Sequence, residues 1–279
     1  MFSVFRNKTD LPSNLEFEQI ILELPEEQRS IDRDKTDLII GVPQTEHNGY
    51  KVLDGIPREC TSVSILLGGK SLHILEALVK SGLPQQLRSI CIGHCDYTPP
   101  GSSFNYEKAI EILSGTSFPL LEHLSLGIDE LYCNRDGWAP SLLGDLTSLL
   151  ESLHSVESLV IHGNFRLDRP ILFKRLRNLE IITSDGEPLT SKTHDNLLTS
   201  GFSVLEDAWL SLGGSNISSY TFPDIFINAE NLPHIKRLEI DGMYSCGQLK
   251  RFRESKLCNK SGIKVFSEEL EENLNDSSC

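Results

Sequence analysis

The 279-residue chain has no apolar run near the roughly 18 residues that a membrane-spanning helix needs, so no helical span is expected. Met1 to Glu18 mixes charged and polar residues and lacks an apolar h-region, which argues against a secretory signal and for a cytoplasmic chain. Basic residues are in deficit, 26 against 40 acidic, for a net charge of −14. Nucleic acids and anionic membranes recruit basic surfaces, so neither is expected as a partner, and a basic protein fits the sign. The seven cysteines are dispersed, as expected of reduced, mostly buried thiols in a cytosolic chain.

The chemical motifs present are incomplete. Gly69-Lys70-Ser71 resembles the end of a phosphate-binding loop, but Ser64 stands where the first glycine belongs, and Ile65, Leu66 and Leu67 fill the cradle. Cys91, His94 and Cys95, with His123 further on, lack the second pair that a zinc site requires. No cofactor and no metal is therefore expected. His162 and Glu180 suggest a dyad on neighbouring strands, yet the nearest serines, Ser125 and Ser158, would sit on an open sheet that excludes no water. The basic cluster Lys250-Arg251-Phe252-Arg253 reads as the solvated face of a late helix.

What the chain does contain is a repeated line. Leu121-Glu122-His123-Leu124-Ser125-Leu126 alternates in its second half, the signature of a strand with one buried face. The same line recurs from Leu87, Val156, Leu176 and Ile235. With weaker copies included, its fourth position falls on Val63, Ile90, Leu124, Leu159, Leu179, Leu210, Leu238 and Ile263. The intervals are 27, 34, 35, 20, 31, 28 and 25 residues. Between the copies, Ser71 to Lys80, Phe104 to Leu113, Leu142 to Leu153 and Asp195 to Leu198 have helical spacing. Strand then helix, repeated, predicts an α/β array with a parallel sheet.

The hallmark line resembles the leucine-rich repeat superfamily, closest to divergent, irregular bacterial-type cytosolic members, over about residues 60 to 266. The resemblance implies a horseshoe solenoid with a curved parallel sheet on its concave side and helices on its convex side. Residues 1–59 then form an N-terminal capping region, 60–266 about eight irregular repeats, and 267–279 an acidic tail. The family's asparagine position holds Cys95, Asn164, Asp129, Ser184 and Met243, so its asparagine ladder is incomplete.

Two surfaces of such an array are candidate partner sites. The sheet face would present His123, His162 and Glu180. The loops after the strands would form a rim of aromatics and carboxylates: Asp96, Tyr97, Asp129, Glu130, Tyr132, Asp136, Trp138, Phe165, Asp185, Glu187, Tyr220 and Tyr244. Rings bury much area at low entropic cost, and carboxylates steer a basic partner. The expected function is a non-catalytic protein-protein interaction module, an intracellular immunity-type inhibitor or scaffold for a basic protein. Alternatives are an effector or ubiquitin-ligase-type substrate adaptor, and a hydrolase with its site on the concave face.

Overall fold

The computed structural model describes residues 37–41, 61–67, 72–94, 104–127, 141–183, 189–212, 220–242, 244–260 and 263–266. Its main element is a nine-stranded sheet: β1 (Asp37–Gly41), β2 (Ser62–Leu67), β3 (Ser89–His94), β5 (His123–Leu126), β7 (Ser158–His162), β10 (Asn178–Ile182), β12 (Asp207–Ser211), β13 (Arg237–Asp241) and β14 (Ile263–Phe266). Every pairing in it is parallel, and the strands lie side by side in chain order. Each passage of chain therefore adds one strand to the growing edge.

The register follows the repeated line. Val63 pairs with Ile90, Ile90 with Leu124, Leu124 with Leu159, and Leu159 with Leu179. At the next strand Leu179 faces Ala208 and not Leu210, and Ala208 in turn faces Leu238. The small side chain at 208 hides a full copy of the pattern, running Leu205-Glu206-Asp207-Ala208-Trp209-Leu210. Asp37–Gly41, within the expected N-terminal capping region, is hydrogen-bonded into the same sheet.

Parallel strands need crossovers, and these differ along the chain. Helices α1 (Leu72–Lys80), α2 (Glu107–Ser114), α3 (Thr147–Ser152), α4 (Ser191–Thr199), α5 (Asp224–Ile227) and α6 (Cys246–Arg253) bury residues such as Leu78, Ile110, Leu150, Leu197, Phe226 and Leu249. These join Leu124, Leu159, Leu179 and Leu238 in one hydrophobic core, so the helices cover one face of the sheet. Two expected helices start late. Phe104–Asn105 (β4) and Ser141–Asp145 (β6) are strands, which with Asn164–Arg166 (β8) make a second, three-stranded parallel sheet. Asx-type contacts start the helices: Glu107 N donates to Asn105 Oδ1 (2.8 Å) and Thr147 N to Asp145 Oδ1 (2.9 Å). Those Thr147 bonds hold the Asp145 carboxyl below its usual pKa, against the opposing effect of its partial burial.

The shortest interval, Leu159 to Leu179, contains no helix. Its crossover is β8 and the two-residue strand β9 (Leu172–Phe173), which pairs with β11 (Gly201–Phe202). The layer behind the sheet is thus part helix and part short strand, where helices alone were expected. The late basic cluster lies on α6, with Phe252 buried and Arg251 bonded to Asp224 and to the Phe222 carbonyl. Cys258 is a free thiol, whereas Cys246 is disulfide-bonded, so the reading of seven reduced thiols does not hold. Among the described residues no helix is long and apolar enough to cross a membrane.

Candidate functional site

With the inward strand positions taken by the core, the sheet offers a ligand only its outward positions. Register sorts these into rows across the strands. One row runs Ser89, His123, Ser158, Asn178, Asp207, Arg237, and the next Cys91, Ser125, Val160, Glu180, Trp209, Glu239. The β3–β7 half is largely small side chains. From β10 to β13 the rows carry three carboxylates, a guanidinium and an indole.

Trp209 lies at the centre of that half. It is 47 % exposed although its strand is interior to the sheet, and its direct neighbours are Glu180 on β10 and Glu239 on β13. Neighbouring strands run about 4.8 Å apart, so a carboxylate stem rises on each side of the ring. Ser158, Val160, Asn178, Asp207 and Arg237 complete an open depression of about 300 Å³ around these three residues. Arg237 donates to Asp207 on the adjacent strand, and that bond raises the guanidinium pKa.

His162 and Glu180 meet diagonally across β7 and β10, Nε2 to Oε1 at 2.7 Å, with the imidazole mostly buried. The two are therefore together, as the sequence suggested. Ser158 lies four residues back on β7, roughly 13 Å along the strand, too far to share a proton with the ring. His123 is exposed on the same face, one strand outside the depression. Among the described residues, no group of three or more His, Cys, Asp or Glu is placed to hold a metal ion.

The comparisons give no relative. Set against family models, curated proteins and solved structures, the chain matches none.

The loop rim fares differently from the sheet face. Asp96, Tyr97, Asp129, Glu130, Tyr132, Asp136, Trp138, Asp185 and Glu187 lie outside the described residues. Phe165, Tyr220 and Tyr244, expected as exposed anchors, are buried and present nothing to a partner. Phe165 packs in the core from β8. Tyr220 and Tyr244 form an isolated parallel bridge. Tyr220 stacks on His194 and donates its hydroxyl to the Leu189 carbonyl (2.9 Å), while Tyr244 stacks on Phe222 at 4.2 Å. Large rings near strand ends bury more area beneath their loops than they would standing in water.

A different row of charges is consumed by the fold itself. Where the strands enter the sheet, Arg88 bonds Glu122, Arg175 bonds Glu157, and Glu206 lies between Arg177 (2.6 Å) and Lys236. The Lys236 hydrogen bond, helped by Arg177, lowers the Glu206 pKa. That edge is largely neutralised.

Trp209 and Asp207 were missed from sequence. The usable signal was Ala208 as an apolar anchor. Accepting it places 207 and 209 on the outward face, beside Arg237 and Glu239.

Proposed function

We propose that the protein is a non-catalytic interaction module, a leucine-rich-repeat-like solenoid whose outward sheet face, concave in such an array, binds a basic protein. The observation that carries this is Trp209, half-exposed in the middle of a rigid sheet with a glutamate on either side. An indole so placed supplies contact area at little entropic cost, and the carboxylates supply steering and orientation. Strands stacking in chain order over one core suit such an array, since no unit buries its apolar edge alone. Within this reading, an intracellular immunity-type inhibitor or scaffold is favoured over a substrate adaptor. The net charge of −14 complements a basic partner directly.

The test is capture from the native cell on the immobilised chain, run beside Trp209→Ala and a Glu180→Lys/Glu239→Lys double variant. A basic protein retained by the natural chain and released by both variants is the expected result. Equal retention by all three, or an acidic partner, overturns the reading. A hydrolase is the weaker alternative: the His162–Glu180 pair supplies an oriented imidazole, but Ser158 is too distant to serve as its nucleophile, and Ser125, diagonal to His162 across the neighbouring strand, stands on an open face that excludes no water. Turnover abolished by His162→Ala with binding intact would favour the hydrolase.

A further inference from the structure

We infer that the depression around Trp209 receives one arginine side chain of the partner, its guanidinium flat on the indole and its N–H groups directed at Glu180 and Glu239. This rests on the reading of the sheet face as a protein-binding surface and names what that surface recognises. Three features select arginine. The first is the order Glu180, Trp209, Glu239 in one row, fixed by register: an anionic residue stands on either side of the indole. A planar guanidinium stacks on the ring while its donors fan out in its own plane, parallel to the ring, toward both carboxylates. A lysine ammonium is a compact point charge and cannot stack and bridge at once.

The second is that, among the described residues, Trp209 is the one aromatic lining the depression. A trimethylammonium is held by several aromatic walls around it, and this site offers a single platform, which suits a flat cation. The third is size and lining. About 300 Å³ is at the lower limit of ligand pockets, enough for one side chain, and Val160 gives an apolar strip for its methylene stem. Arg237 stands in the same depression, bonded to Asp207 on the neighbouring row and attracted more weakly by Glu239, so Asp207 balances most of its charge.

The experiment uses the full chain and capped glycine-serine peptides carrying a single arginine, lysine or trimethyl-lysine, titrated at low salt by calorimetry. In parallel, the Trp209 indole N–H resonance, assigned by its loss in Trp209→Phe, is followed. The arginine peptide is expected to bind at least fivefold tighter than the lysine peptide, with the trimethyl-lysine peptide weakest, and to shift that resonance. Trp209→Ala and Glu180→Gln/Glu239→Gln should each weaken arginine binding at least tenfold, with circular dichroism unchanged. Equal affinity for arginine and lysine, tightest binding of trimethyl-lysine, or an unaffected Trp209→Ala overturns the arginine site. Where a captured basic protein still depends on Trp209 while the peptides do not discriminate, the sheet-face reading stands and the arginine inference alone falls. Where neither protein nor peptide depends on Trp209, both fall.

Discussion

His194 lies flat against Tyr220, ring centroids 4.2 Å apart and planes 3° apart, fully buried behind the sheet. Its Nε2 is 3.3 Å from the Tyr244 hydroxyl, and its Nδ1 is 3.3 Å from Asp195. Burial pushes the imidazole pKa below its usual 6.5, and the Asp195 contact only partly opposes this. The sign follows directly. The unfolded chain takes up a proton near pH 6.5 that the folded chain refuses, so stability is fully present above 6.5 and is lost as pH falls below it. Urea unfolding between pH 7.5 and 5 should show stability falling with pH, by at most about 1.4 kcal/mol per pH unit from this one group. His194→Phe should remove that component, and an unchanged slope would show that the ring is free to protonate.

Glycine is required at 127 and dispensable at 82. Gly127 has φ +78°, and a Cβ there would stand 1.8 Å from the His162 carbonyl oxygen. Gly127→Ala should therefore destabilise by about 1–3 kcal/mol or more, and should also disturb the strand that carries His162. Gly82 has φ −78° and open space around it, so Gly82→Ala should stabilise by about 0.4–1 kcal/mol. Denaturant midpoints of the two variants, moving in opposite directions, are the check.

Much of this fold is legible because burial repeats. Ile90, Leu124, Leu159 and Leu179 stand in one row of the sheet, and each announces itself by the same apolar spacing. Legibility fails where a side chain breaks the spacing without breaking the structure. Ala208 fills an anchor place with a single methyl, so the visible tail of that copy is displaced by two residues, and Trp209 goes unnoticed with it. Phe104–Asn105 and Ser141–Asp145 fail for another reason: a two- to five-residue strand running into a helix shares its apolar spacing. Tyr220 and Tyr244 mark a third limit. An aromatic beside a strand end has the same sequence context whether it faces water or folds beneath its loop.

Glu206 has two cationic neighbours on the strand-entry edge, Arg177 and Lys236, on either side. Both partners are exposed, so their attraction is screened by salt. Glu206→Lys would leave three cations on adjacent strands, and it should lower the melting temperature clearly at 10 mM salt and much less at 1 M. Glu206→Gln should give a smaller drop with the same salt dependence. Because the Glu206 pKa is lowered by its partners, its stabilisation is present above pH 4.5 and is lost as pH falls below that value. A melting difference independent of salt would remove the charge row from the account of what holds the strands in register.

Trp209 and Leu210 are consecutive on β12 and face opposite ways, 47 % and 3 % exposed. Leu210→Ala opens a cavity in the core and should cost about 2–5 kcal/mol. Trp209→Ala removes the larger side chain, yet it takes no atom from the core, and its cost should stay under about 1 kcal/mol. The contrast is what separates a surface built for a ligand from one built for folding: a large ring that contributes little to stability is kept in water against the hydrophobic effect. Chemical denaturation of both variants measures it. Equal losses would mean that the indole is part of the packing and that the outward face has no site at Trp209. A small loss, with the fold intact, leaves the ring flanked by Glu180 and Glu239 to be explained by what binds there.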